Sequence, residues 1–379
     1  MPRVNLCLKV PMTSALFQPF KLRDLTLPNR IVVSPMCQYS AVNGNATDWH
    51  VIHLGQYAVS GAGLLVIEAT GVEPEGRITA ECLGLWSDDN EAALARVLQF
   101  VRPFASMPIG IQLSHAGRKA SVRRPGAGRG NLPLGEGGWK TVGPTDEPFG
   151  TGWEVPHALD RAGMARVTQA FVQATQRADR LGLDLLEIHA AHGYLLSSFL
   201  SPLGNARTDP YGGSREGRMR FPLEVIEAVR AAWPAHKPMG VRFNGTDWLD
   251  GGLTGDDAVA FARELKVRGV DYMDLSSGGS ARAEIPLGPG YQVPYAAQVK
   301  REVDVPTMCV GLIRDPAHAQ AIVERGEADL VGLGRGLLNN PRWAWHAAET
   351  LGAKVAVPHQ YLRGATSAGL PSQDTILKL

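Results

Sequence analysis

Eight times along this chain a short, apolar, β-branched run gives way to a polar turn and then to a segment with apolar residues every three or four positions. The runs are I-V-V-S-P-M (31–36), G-L-L-V-I-E-A (63–69), I-G-I-Q-L-S (109–114), D-L-L-E-I-H-A (184–190), G-V-R-F-N (240–244), D-Y-M-D-L-S-S (271–277), P-T-M-C-V-G (306–311) and A-D-L-V-G-L-G-R (328–335). Segments such as E-A-A-L-A-R-V-L-Q-F-V and D-D-A-V-A-F-A-R-E-L-K fit helices between them. A sheet with one wet face would alternate apolar and polar residues, whereas these runs are nearly continuous, as parallel strands covered by helices are. Eight units with no break in composition favour a closed (β/α)₈ barrel in one domain over a doubly wound sheet with a second domain.

The 379 residues are long enough for such a core, with 44% hydrophobic and 20% charged residues. A net charge of +1, mixed along the chain, gives no electrostatic footprint for nucleic acid or an anionic membrane surface. Nothing approaches the ~18 uninterrupted apolar residues of a membrane span. Cys7, Cys37, Cys82 and Cys309 are scattered without a C-x-x-C pair, which argues against a disulfide framework, structural zinc or an iron-sulfur cluster and reads as reduced thiols in a cytoplasmic protein. Residues 1–13 lack the features of a secretory signal and read as a disordered leader, with Met12 a candidate start. The barrel is expected over 14–364, and 365–379 form a tail with no interpretable signal. Residues 117–158, rich in glycine and arginine, break the rhythm and read as a long loop after the third strand.

Active sites of barrels form at the C-terminal ends of the strands. Read to their ends, the runs supply Ser34, Met36, Cys37 and Tyr39, then Glu68, Ala69 and Thr70, then Gln112, Ser114 and His115, then His189, His192 and Tyr194. Arg242, Asn244, Ser276, Ser277, Gly311, Gly334 and Arg335 complete the set. Within E-I-H-A-A-H-G-Y, two imidazoles and a phenol follow a buried strand. His189 and His192 are possible metal ligands, but no third and fourth partner stands out. They suit hydrogen-bond donation to one oxygen on which negative charge develops, worth roughly 3 kcal/mol per donor, with Tyr194 as proton donor. A purely structural role for the group is the alternative. Bare glycines after the seventh and eighth runs, with Arg335 beside them, stand where barrels hold a phosphate.

Together, S-P-M-C-Q-Y (34–39), E-A-T (68–70), Q-L-S-H-A-G-R (112–118), H-A-A-H-G-Y (189–194), N-A-R-T-D-P-Y-G-G-S (205–214) and G-L-G-R (332–335) resemble the Old Yellow Enzyme family of FMN-dependent ene-reductases. Cys37, Tyr39 and Q-Y-L-R-G near the C-terminus are similar to its bacterial subgroup of YqjM-like enzymes and xenobiotic reductases. The resemblance implies non-covalent FMN, NADPH or NADH as reductant, and enone-type substrates that take hydride from flavin N5 in a ping-pong reaction. It implies that His189 and His192 bind the substrate carbonyl, that Tyr194 donates the proton, and that Tyr39 positions substrate. Ser34, Pro35, Met36 and Ala69 would line the isoalloxazine, Gln112 would bond its pyrimidine edge, and Cys37 would tune its potential. Arg242 would lie near flavin N1 and O2, while Gly311, Gly334 and Arg335 would hold the phosphate. Arg363 would reach a neighbouring subunit's site in a homodimer or homotetramer.

Three rivals differ on features legible in the chain. The related dienoyl-CoA reductase and trimethylamine dehydrogenase group adds a cysteine cluster and further domains. A flavin store or sensor has no need of a proton donor such as Tyr194. A metal-dependent hydrolase would want more ligands than the strand ends offer.

Overall fold

The computed structural model describes residues 14–128 and 130–364. The expected leader and tail therefore lie outside the described residues. Eight parallel strands close into a barrel: β1 (Ile31–Val33), β2 (Leu64–Gly71), β3 (Ile109–Ser114), β4 (Leu185–Ala190), β5 (Met239–Asn244), β6 (Tyr272–Ser276), β7 (Thr307–Cys309) and β8 (Leu330–Leu333). Each pairs with the next, and β8 pairs with β1 through Val331 opposite Ile31. Every one of the eight apolar runs is thus a barrel strand, and the doubly wound alternative is excluded.

Helices α1 (Asp48–Ala58), α2 (Asp88–Val101), α3 (Arg161–Arg180), α4 (Leu195–Leu200), α5 (Arg215–Ala232), α6 (Gly255–Val267), α7 (Val293–Val303), α8 (Pro316–Glu324), α9 (Arg335–Asn339) and α10 (Trp343–Leu351) form the outer layer. Their starts carry side-chain caps that satisfy otherwise unpaired amides: Ser87 accepts from Asn90 N, Asp160 from Gly163 N, and Ser214 from Gly217 N.

The two parities of each strand meet different surroundings. Ile31, Val33, Leu65, Ile67, Ile111, Ile188, Val241 and Leu275 belong to the large core between sheet and helices. Val32, Leu64, Val66, Leu185, Tyr272, Met308 and Leu330 cluster separately inside the barrel, together with Leu22 and Leu27. Those two leucines come from an antiparallel hairpin, Phe20–Leu22 with Leu25–Leu27, which floors the barrel. The hairpin is absent from the reading of the sequence, because three-residue strands are too short to show a period. The segment 117–158 is the long loop after β3, and it carries local order: helical turns at Gly117–Lys119 and Leu134–Glu136 and a parallel pair, Val142–Gly143 with His157–Ala158. Side-chain bonds such as Trp139 N to Ser121 Oγ tie it down, a kind of order that carries no periodic signature.

One glycine is dictated by the barrel interior. Gly240 lies in register between Glu187 on β4 and Tyr272 on β6. A Cβ on Gly240 would stand 2.1 Å from Tyr272 Cζ, so the bare Cα lets the phenol cross β5 and reach Glu187. Gly240→Ala is therefore expected to lower the free energy of unfolding by roughly 1–3 kcal/mol through overpacking. Urea denaturation of the variant checks this, and an unchanged midpoint would contradict it.

Candidate functional site

Above the apolar floor, the inward positions turn polar. Ser34, Pro35 and Met36 after β1, Arg242 on β5, Ser276 on β6, and Gly311, Gly334 and Arg335 after β7 and β8 line one open cavity of about 280 Å³. His192 stands at its edge. Some of the remaining sequence-predicted residues connect to this lining through strand pairing and ring packing. Ala69 pairs with Gln112 across β2 and β3, Gln112 pairs with Glu187 on the next strand, and His189 and Tyr194 flank His192. Arg363 stands apart. It is exposed in the turn His359–Gly364 and does not line the cavity of its own chain.

Backbone strain is present at this mouth, though not only here. Tyr39, His192, Trp248 and Leu312 all have positive φ, at 51°, 61°, 62° and 55°. Non-glycine residues seldom hold that conformation unless their surroundings fix it. For His192 the fixings are visible: its amide donates to Asn244 Oδ1 at 3.1 Å, and its carbonyl accepts from Lys119 Nζ at 2.6 Å. Lys119 also donates to the Gly279 carbonyl at 2.8 Å, which locks the loops after β3, β4 and β6 together. Its ammonium lies 5.4 Å from the centre of the Tyr194 ring and 4.6 Å from that of Phe149. Burial, then the nearby Arg118, pulls the Lys119 ammonium down to about 8.

The histidine pair forms a relay with defined tautomers. Ala191 N donates to His189 Nδ1 at 3.1 Å, so the His189 proton sits on Nε2, 3.2 Å from His192 Nδ1. His192 Nε2 in turn lies 2.6 Å from Ser276 Oγ. Burial, then the charge of Arg242, holds both imidazoles well below their usual range, so both are neutral. The Tyr194 ring packs edge-on against His189 at 4.9 Å, and burial pushes its phenol well above the ordinary value. His115, another strand-end histidine, is engaged elsewhere, bonded to Glu73 at 2.8 Å and to the Gly117 amide at 3.0 Å.

Cys37 and Tyr39 are placed by a carboxylate. A bulge at Glu68 in β2 turns its side chain so that Oε2 accepts the Gln38 amide at 3.0 Å, with His50 on the other oxygen at 3.4 Å. The Cys82 thiol beside it, then burial, pushes the Cys37 thiol up, so it stays protonated. Burial likewise raises the Tyr39 phenol.

Reading the sequence missed several cavity residues: Tyr291, Gln292 and Arg314 lie beyond strand ends, where no local pattern marks them. It also missed Glu187 and Asp274 beneath the cavity. A signal existed for these, since Glu187 shares its parity with His189, and Asp274 shares its parity with Ser276.

The cavity fits a flat ring system with an attached phosphate. Ser34 Oγ and Arg242 Nε are buried without a hydrogen-bond partner among the described residues. On β8, a Cβ at Gly332 would fall 2.7 Å from Ser34 Oγ, so the wall beside β1 is bare by necessity. Gly311, at φ 121°, is open in the same way, and the two cations Arg314 and Arg335 border it. The fold and cavity together give a barrel whose mouth has room and cations suited to a phosphate-bearing ligand.

The chain belongs to the NADH:flavin oxidoreductase / NADH oxidase family, whose model matches residues 15–353. NADPH dehydrogenase of Geobacillus thermodenitrificans is 44% identical over 93% of this chain and 99% of its own length. NADPH dehydrogenase of Bacillus subtilis is 41% identical over 93% and 100%. Morphinone reductase shares the fold with a TM-score of 0.76 at 27% identity, over 96% of this chain and 98% of its own. The protein is therefore an FMN-dependent NAD(P)H oxidoreductase, in agreement with the Old Yellow Enzyme resemblance carried by its motifs. No helix among the described residues is long and apolar enough to cross a membrane.

If Arg314 and Arg335 hold the FMN phosphate, replacing either with Ala should weaken FMN binding by roughly tenfold, and replacing both by more, since each contact is charge-assisted but partly open to solvent. Titration of the apoprotein with FMN, followed by flavin fluorescence, measures this. Unchanged affinity in the double variant would place the phosphate elsewhere.

Proposed function

We propose that the protein reduces the activated C=C bond of α,β-unsaturated carbonyl compounds, with NAD(P)H and substrate taking turns in the same cavity. Held by Ser34, Arg242, Gly311 and Arg335, bound FMN would supply the hydride-carrying chemistry between nicotinamide and alkene. The observation that carries the reading is the pair of imidazole nitrogens, His189 Nε2 and His192 Nδ1, 3.2 Å apart beside the cavity with a phenol next to them. A carbonyl oxygen placed against both nitrogens would receive a proton bond from each, once His192 carries its proton on Nδ1.

Ser276 makes that tautomer accessible. Its hydroxyl lies 2.6 Å from His192 Nε2 and can accept from it or donate to it, with Gln292 Oε1 at 3.3 Å as the alternative acceptor. Neutral imidazoles suit this role, because donors that keep their protons stabilise developing negative charge without ending the reaction by transfer. Tyr194 holds its proton firmly until negative charge at the substrate's α carbon draws it off. Lys119 beside the ring stabilises the resulting phenolate. Tyr39 and Cys37, both held through the Glu68 bulge, border the same space, and Cys37 would tune the flavin from its edge. The likeness to morphinone reductase supports reduction of a small organic substrate, and the relatives named NADPH dehydrogenase support NADPH as reductant.

Arg363 would complete the site of a second subunit. An apolar groove between α1, α2 and the C-terminal turn supports this, lined by Val51, Val59, Phe104 and Tyr361, with Phe100 and Phe104 exposed at 54% and 60%. The free thiols Cys37, Cys82 and Cys309 support a reducing compartment such as the cytoplasm.

Two outcomes follow. Tyr194→Phe should slow reoxidation of the reduced enzyme by an enone about 10²- to 10⁴-fold while leaving its reduction by NADPH near normal. Stopped-flow measurement of both half-reactions decides, and equal losses in the two would remove the proton-donor role. Arg363→Ala should raise the KM for substrate with little change in the rate of flavin reduction, in a protein that sediments as a dimer or larger. A monomer with full activity would exclude the shared site.

A further inference from the structure

Directly under the cavity lies a group of side chains that the proposed reaction does not use. Glu187 is wholly buried at the middle of β4. Its two oxygens accept from Gln112 Nε2 at 2.7 Å and from Tyr272 OH at 2.8 Å. Asp274, also wholly buried, stands on β6 with Oδ2 at 3.1 Å from Arg242 Nε, and neither of its oxygens has a well-formed hydrogen bond. Asp274 and Arg242 are direct neighbours across β5 and β6, and Arg242 is the neighbour of His189 across β4 and β5. Asp274 thus pairs with the guanidinium, Glu187 lies two residues lower in the strand register and feels its charge without touching it, and Arg242 also lines the cavity.

The remaining titratable groups facing the pair bring no charge. Burial keeps Tyr272 and Cys309 protonated, and His189 is neutral. Among the described residues that surround the two acids, Arg242 alone is charged. One cation balances one carboxylate, and a second buried carboxylate without a partner is strongly unfavourable. Burial, with Asp274 nearby, accordingly pushes Glu187 up to about 7, and burial pushes Asp274 up to about 6.

We propose that Glu187 and Asp274 hold one proton between them while the cavity is electrically neutral, and take a second from solvent when bound FMN gains negative charge on two-electron reduction. The charge count closes in both states. Before reduction, one carboxylate offsets Arg242. Afterwards the flavin's negative charge offsets Arg242, and both acids are neutral. The two electrons and one proton of the hydride come from NAD(P)H, the extra proton comes from water, and it returns to water when the electrons leave. Glu187 and Asp274 are then positioning residues, acting on the flavin through Arg242.

The test is the midpoint potential of bound FMN between pH 6 and pH 9, measured by equilibration with a reference dye. One additional proton taken up per two electrons changes the equilibrium tenfold per pH unit, which steepens the slope by about 30 mV per pH unit. Wild type should show this steepening, and Glu187→Gln/Asp274→Asn should lose it. Identical slopes would overturn the proposal. Should the double variant fail to fold, infrared difference spectra of wild-type holoprotein serve instead. Reduction should add a carboxyl band that shifts in D₂O, and no gain of protonated carboxyl would overturn the proposal. The proposal rests on the reading of Arg242 as the flavin's neighbour. No alkene enters the measurement, so its failure leaves alkene reduction untouched, and the converse also holds.

Discussion

The mouth of this barrel is organised by the burial of one guanidinium. Arg242 projects inward from β5 with a carboxylate on one side and the cavity on the other, and no hydrogen bond within the described chain satisfies it fully. A cation can be kept in such a place only if negative charge is available to it. Asp274 supplies that charge from below, and the cavity above is left with a positive wall. Burial, then the same charge, keeps His189 and His192 neutral, which suits them to donate hydrogen bonds. An apolar floor closed by the hairpin leucines keeps water from reaching these groups from beneath.

The layers of the barrel explain how one fold serves both stability and chemistry. Outward positions are mostly apolar, with Thr70 and Thr307 as exceptions, and pack against the helices. Inward positions are apolar at the floor, polar at the middle and functional at the rim. Some strain sits at the rim, where Tyr39, His192, Trp248 and Leu312 adopt positive φ, and the hydrogen bonds of Lys119 and Asn244 hold the His192 turn in that form.

Much of this was legible in the sequence, for physical reasons. Strands covered on both faces must be apolar throughout, so the eight runs announced the eight strands with errors of a few residues at their ends. Polar residues that interrupt such runs cost free energy unless they are used, which is why Gln112, His189, Arg242 and the glycines after β7 and β8 stood out. The hairpin Phe20–Leu27 was not legible, because three-residue strands hold too little of the two-residue alternation to stand out. Arg314, Tyr291 and Gln292 reach the cavity from loops whose paths depend on tertiary contacts. Glu187 and Asp274 were legible by their parity with His189 and Ser276, one layer below the strand ends that supply the rim. The motifs that carried the family resemblance cover the rim, and the match over 15–353 bears that family out.

The most direct test of the account is an anaerobic visible spectrum of the purified protein, recorded after NADPH and again after 2-cyclohexenone. The flavin absorbance should bleach with NADPH and return in full when the enone is added. A flavin that NADPH reduces but the enone leaves bleached would contradict the assignment of the histidine pair and Tyr194 to alkene reduction.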